Sequence, residues 1–405
     1  MRYMALAAHY KGILALAGEM ADRTVLAVER LVASSRELIF VPSRPLSDSH
    51  ETFSPPSTKD AQVFWVTLLR VVACLFVFGG HFLDPILRAN PTHPLIVLSW
   101  TGSAGIVVFA FVSGFGLAYQ YQPGQPLFPW FKRRLLRVFP TLWVFYLILA
   151  FFVVGGWYGV PSKGDLLLNV LGLNGVLIFS GRLLAASHTW FITFILMMYL
   201  MFPMIFEVMS SPRSSNKQKH VLLGLVCLVS LALSVFVGTG DFAFFPCVTA
   251  FWYGVFWSLH GGNIHLSRRL TAGLSFALFA ACAFRIYLAA NPSSWQSFPF
   301  VIGASMVTEL YPFLIVPLAA RWISTPSSWY VAVVSVLSTY SFEIYLYHRI
   351  TMREYVPAFL QPATAPFLAL AFSVALTAAL SWVAYRLANP VRDGLSKAIV
   401  RLTGM

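Results

Sequence analysis

Charge is the scarcest property of this sequence: Asp, Glu, Lys and Arg make up 11% of its 405 residues, where a soluble domain carries about 25%. Hydrophobic residues account for 58% and the mean hydropathy is +0.73, which excludes an ordinary soluble fold and leaves an integral membrane protein. Acidic residues are scarcer than basic ones, 15 against 28. The Lys and Arg residues are spread through loops between apolar runs, where they set membrane orientation, so nucleic acid is not an expected partner. The four cysteines, Cys74, Cys227, Cys247 and Cys282, lie inside apolar runs without CxxC spacing and read as small hydrophobes. No zinc-type His/Cys spacing, GxSxG elbow, Walker loop or supported GxGxxG fingerprint occurs. Hydrolase, ATPase and dehydrogenase chemistry therefore find no support, and no metal is expected.

Residues 1–40 have helical character but are interrupted by His9, Lys11, Glu19, Asp22 and Arg23, so they lack the apolar core of a signal peptide and read as an amphipathic helix. Residues 41–60, VPSRPLSDSHETFSPPSTKD, are rich in Pro, Ser and charge and read as a linker. Residues 61–390 form the expected transmembrane domain, and 391–405 a cytosolic tail. Apolar runs near the ~20 residues a crossing needs lie at about 62–82, 99–119, 138–156, 188–209, 221–238, 242–260, 270–290, 298–320, 330–347 and 363–386. The expected fold is thus all-α, about ten transmembrane helices in one bundle. A shorter run at 165–181, broken by Asn169, Asn174 and three glycines, reads as a re-entrant or interfacial helix. With that choice the inner loops hold 14 Lys and Arg and the outer loops 5, which places both termini in the cytosol.

The first apolar run contains RVVACLFVFGGH, with Arg70 and His81 separated by ten uncharged residues. Eleven residues at 100° each fall within roughly 20° of three turns and rise about 16 Å, so both residues share one helix face. An ionisable residue near the bilayer centre is costly and faces the protein interior, which makes function the default reading for Arg70. The structural alternative pairs it with Glu309 or Glu343. Gly79 and Gly80 remove bulk beside His81 and allow close approach.

Five stretches in order resemble the acyltransferase-3 family of integral membrane O-acyltransferases, over about residues 62–390. They are the Arg70/His81 pair, Ser113-Gly114-Phe115 in the second span, Arg134 and Arg137 in FKRRLLRVFP, the span HTWFITFILMMYLMFPMI, and STYSFEIYLYHRI. The sequence departs from many members at Thr193-Phe194-Ile195-Leu196, where they carry a Ser-x-Glu-Glu run. No extracytoplasmic hydrolase-like domain is expected after the last span.

The resemblance implies transfer of an acyl group, acetyl by expectation, from acyl-CoA to a hydroxyl of a cell-surface carbohydrate or glycolipid. It also implies a bacterial inner membrane, with polysaccharide biosynthesis proteins as further partners. On that reading Arg134 and Arg137 bind coenzyme A phosphates, with Lys132 and Arg133 beside them mainly as topology anchors. His81 acts as general base or as a covalent acyl carrier, and Arg70 holds the donor carbonyl or steadies the oxyanion. Asp84 is a candidate to orient His81. Four residues at outer span ends, His188, Trp190, Glu343 and His348, line the acceptor pocket if their spans face the first. Ser113-Gly114 is expected to let the second span sit close to the first. The alternative is a secondary transporter using Arg70, Arg285, Glu309 and Glu343, but no repeat symmetry of that kind is visible.

Overall fold

The computed structural model describes residues 58–88, 101–154, 163–179, 187–211, 215–236, 243–260, 267–290, 313–316, 318, 328–352 and 366–403. All of the regular structure among them is helical, as long apolar runs in lipid require: a helix pairs every backbone group within one segment. In chain order the helices are α1 (Thr58–Arg88), α2 (Thr101–Gln120), α3 (Leu127–Val154), α4 (Lys163–Val170), α5 (Asn174–Phe179), α6 (Trp190–Ser210), α7 (Asn216–Phe236), α8 (Phe244–His260), α9 (Arg268–Ala290), α10 (Ser328–Thr339), α11 (Ser341–Ile350) and α12 (Pro366–Thr403). The expected helix and linker over 1–60 lie almost wholly outside the described residues, as do Glu309, most of the run at 298–320 and the side chain of Arg285.

Four stretches, Phe64–Asp84, Thr101–Gln120, Trp190–Ser210 and Phe367–Leu402, are long and apolar enough to cross a membrane. Tyr330–Thr339 and Ser341–Ile350, bent by 63° at Tyr340, make a fifth if the pair is one span. Helices α3, α7, α8 and α9 occupy four more of the expected runs, but the described residues do not establish a count of ten. The run at 165–181 forms two short helices, α4 and α5, joined through Gly172 at φ +70°. Neither piece is long enough to cross. Helix α12 continues through Pro390, the expected boundary between span and tail, to Thr403.

Helix α2 is buried on nearly all sides and lies between α1 and α8, with α7 flanking α8. Helices α10 and α11 pack on α1, while α12 covers α3 and α11. The small residues of α2 explain its position, although not as the sequence suggested. A Cβ at Gly114 would overlap the Phe251 carbonyl oxygen of α8, and one at Gly254 would overlap the Phe111 carbonyl oxygen of α2. The Ser113-Gly114 step therefore fits α2 against α8, not α1. Gly105 makes the contact with α1, where an added Cβ would stand 2.6 Å from the Ala73 oxygen and 2.8 Å from Val77 Cγ2. Of the pair beside His81, Gly80 approaches Gly102, whereas a Cβ at Gly79 meets nothing within 4 Å.

A buried polar clasp holds α4 and α5 to the bundle. Thr193 Oγ1 donates to the Gly172 carbonyl at 2.7 Å and accepts the Gly175 N–H at 2.8 Å. Asn174 donates to Thr189 Oγ1 at 2.6 Å, and the Tyr146 hydroxyl lies 3.0 Å from the same oxygen. Thr193, at the position where the sequence departs from the family pattern, thus ties α6 to the α4–α5 joint.

Gly114→Ala is expected to cost roughly 1–3 kcal/mol by overpacking against fixed backbone, seen as a lower thermal midpoint of the detergent-purified protein. Gly116→Ala, where a Cβ meets nothing within 4 Å, should leave the midpoint unchanged or raise it through helix propensity.

Candidate functional site

Arg70 and His81 both turn toward the bent pair α10–α11. Arg70 Nη1 donates to Ser338 Oγ at 3.3 Å, two residues before the bend at Tyr340. The His81 ring stands 5.1 Å, centroid to centroid, from His348 in the last turn of α11. The bend itself is shaped by local hydroxyls: Ser341 Oγ donates to the Ser338 carbonyl at 2.8 Å and Thr339 Oγ1 to the Ser335 carbonyl at 2.9 Å. Such back-bonds compete with the regular helical ladder and favour bending.

Around Arg70 gathers a cationic cluster. Arg70 feels the charge of Arg137 and neighbours Tyr199, and Arg134 neighbours the same tyrosine, Arg137 and Arg133. Arg134 Nη2 donates to Gln120 at 3.0 Å and its guanidinium lies over the Trp130 ring at 5.8 Å. Its Nε is buried with no hydrogen-bond acceptor. Arg137 and Arg133 are exposed and Lys132 is half-buried. The acid of the cluster is Glu343, 4% exposed in the first turn of α11, with Arg137, Arg392 and Thr141 as neighbours. Its Oε2 has no hydrogen-bond partner. Arg392 fastens α12 to α3 by donating from Nε to the Leu136 carbonyl at 3.1 Å.

The second cluster is made of rings. His188, 3% exposed on a 3₁₀ turn before α6, places Nε2 2.9 Å from the Leu346 carbonyl. Its ring stands 5.7 Å from His348 and 5.9 Å from Tyr345. The Tyr345 hydroxyl donates to the His188 carbonyl. His348, 1% exposed, directs Nδ1 at the Tyr345 and Ile344 carbonyls. His188 Nδ1 and His348 Nε2 are both buried without a hydrogen-bond partner.

Among the residues expected to line an acceptor pocket, His188 and His348 therefore meet beside His81. Trp190 does not join them, its ring packing against Phe191 and Phe244. Glu343 lies in the arginine cluster instead, because α11 begins at the bend and separates Glu343 in its first turn from His348 in its last. Ser338, Tyr199, Tyr345 and Arg392 went unnoticed in the sequence. The i, i+3 spacing of Tyr345 and His348 within STYSFEIYLYHRI was the available signal for one of them. Among the described residues no group of three or more His, Cys, Asp or Glu side chains is placed to hold a metal.

The two clusters lie eleven residues apart on α1, about 16 Å along the helix, and α11 spans from one to the other. A sequence model of a known family, described as an acyltransferase domain, matches residues 63–386. No curated protein and no solved structure matches the chain.

Tyr345→Phe leaves the buried His188 carbonyl short of its donor and should cost about 1–3 kcal/mol. The check is the thermal midpoint of the purified protein, which a mere ring contact at Tyr345 would leave unmoved.

Proposed function

The chain belongs to the acyltransferase-3 family and is a membrane acyltransferase, and we propose that it moves an acyl group, acetyl in the first instance, from acyl-CoA to a hydroxyl of a cell-surface carbohydrate or glycolipid. The observation that carries this reading is the pairing of a cationic cluster and a histidine cluster on one face of α1, linked by α11. Its setting would be a bacterial plasma membrane with both termini in the cytosol, as the basic loop asymmetry supports, and polysaccharide biosynthesis proteins would be its partners.

The arginine cluster suits an anionic donor. Three guanidiniums near one another repel unless an anion lies between them, and Arg134 Nε is a buried donor without an acceptor. Guanidinium forks match phosphate oxygens, so Arg134 and Arg137 would hold coenzyme A phosphates, with Arg70 at the deeper end. Lys132 and Arg133 would add charge at the mouth. Coenzyme A would supply an activated thioester carbonyl. About 16 Å of helix separates Arg70 from His81, more than the two side chains can bridge to one reacting carbon. This moves Arg70 away from the oxyanion role and toward holding the donor.

At the other end a bare nitrogen of His81 would take the proton of the acceptor hydroxyl as its oxygen attacks the carbonyl. The carbon–sulfur bond then breaks and the proton passes from the imidazole to the leaving sulfur. His188 and His348 would line the acceptor side. Glu343 would offset part of the cationic charge.

His81→Ala should abolish acylation of surface glycans, read by mass analysis, while the protein still inserts and unfolds at an unchanged temperature; retained acylation would overturn the assignment. Arg134→Ala removes hydrogen bonds to a charged ligand worth about 1.5–3 kcal/mol, so acetyl-CoA binding should weaken roughly ten-fold or more. Unchanged affinity would leave these arginines as topology signals alone.

A further inference from the structure

The backbone dictates the tautomer of the ring nearest His81. His348 Nδ1 lies 2.6 Å from the Tyr345 carbonyl oxygen and 3.2 Å from that of Ile344. A carbonyl only accepts, so Nδ1 bears the hydrogen and Nε2 of the neutral ring keeps a bare lone pair. That Nε2 is buried and has no hydrogen-bond partner, a costly state inside an apolar bundle. The ring beside it is His81, with centroids 5.1 Å apart and planes tilted by 36°. Two imidazoles sharing one N–H···N bond edge to edge stand about 5 Å apart by centroids, for a donor–acceptor distance near 3 Å. The observed centroid separation is that of such a pair, and His348 Nε2 stands beside the His81 ring without a partner.

We propose that His348 is a positioning residue for His81: its Nε2 accepts one N–H of His81 and so fixes which nitrogen of His81 keeps the lone pair that meets the acceptor hydroxyl. The inference rests on His81 being the base. Orientation would pass from the carbonyls of α11 through His348 to His81, the role a buried carboxylate plays in a Ser-His-Asp arrangement. A neutral imidazole does this without a buried negative charge, whose desolvation is costly.

The other polar groups near His81 and His348 fit this arrangement. Tyr345 and Arg349 come from α11, His188 from the turn before α6, and Asp84 from α1 itself. The Tyr345 hydroxyl is committed to the His188 carbonyl. His188 Nε2 faces the Leu346 carbonyl, so its Nδ1 is a second bare acceptor. Its ring lies nearly perpendicular to His348, at 80°. Asp84, three residues beyond His81 on α1, is the competing acceptor for the His81 N–H.

The test is nitrogen NMR of the full chain in nanodiscs with ¹⁵N-labelled histidine, which separates protonated from bare ring nitrogens, the His81 signals being assigned by their loss in His81→Asn. His81 should show one tautomer in the unaltered protein and in Asp84→Asn, and a mixture in His348→Leu. His348→Gln, whose amide oxygen accepts the same N–H, should restore the single form; if the leucine variant fails to fold, the shorter His348→Asn serves as the broken case. A His81 tautomer insensitive to position 348, or altered by Asp84→Asn instead, overturns the proposal. Glycan acylation should fall on the order of 10²-fold in His348→Leu, the cost of misplacing a catalytic group, with partial recovery in His348→Gln. Acylation that persists in His81→Ala would sink the proposed function, while the tautomer result would still stand or fall by itself.

Discussion

The bend at Tyr340 is the constraint on which the rest of the site depends. An unbroken helix over 330–350 would lay its polar residues along one straight seam. The 63° turn lets α10 meet Arg70 through Ser338 while α11 runs on to His81. The bend leaves few backbone groups unpaired: the Ser341 and Thr339 hydroxyls take nearby carbonyls, the Tyr340 N–H reaches the Val336 carbonyl and the Ile344 N–H reaches the Tyr340 carbonyl. Broken helices are tolerated at membrane depth only where protein covers them, and here α1, α3 and α12 pack around α11.

That covering depends in turn on close backbone approach elsewhere. Gly114 and Gly254 let α2 and α8 interlock, and Gly105 lets α1 close on α2. With no hydrophobic force between helices in lipid, such small-residue contacts carry association through van der Waals packing. The rigid α1–α2–α8 layer holds one wall of the site. The wall formed by α10 and α11 is fastened by α12, whose Arg392 bonds to α3 while acting on Glu343.

The helical periodicity of RVVACLFVFGGH was enough to put Arg70 and His81 on one face, and the glycines and asparagines of 165–181 were enough to deny it a crossing. These features are local, and local geometry is what residue spacing encodes. The partners were less legible. Glu343 and His348, five residues apart on α11, stand about 140° apart around the helix, so their spacing separates them, but SFEIYLYH does not say which helices face each side. Gly114 was read against the wrong neighbour for a similar reason: a small residue announces close packing but not with which helix. Trp190 stands half-buried with Phe191 and Phe244 against its ring, neighbours that its place at a span end did not announce.

The hydrogen-bonding character of the two clusters carries an argument of its own. Guanidiniums can only donate, and at the arginine end the donor Arg134 Nε is unmet, as is the acceptor Glu343 Oε2. At the histidine end the unmet groups are acceptors, His188 Nδ1 and His348 Nε2, each left bare because the backbone holds the other ring nitrogen. With His348 Nε2 met by the His81 N–H as proposed, a group that matches Arg134 Nε must present an acceptor and one that matches His188 Nδ1 an O–H or N–H donor. Buried polar atoms in an apolar bundle are costly until matched, so each of these groups marks a place where a partner of the opposite hydrogen-bonding character would be stabilised.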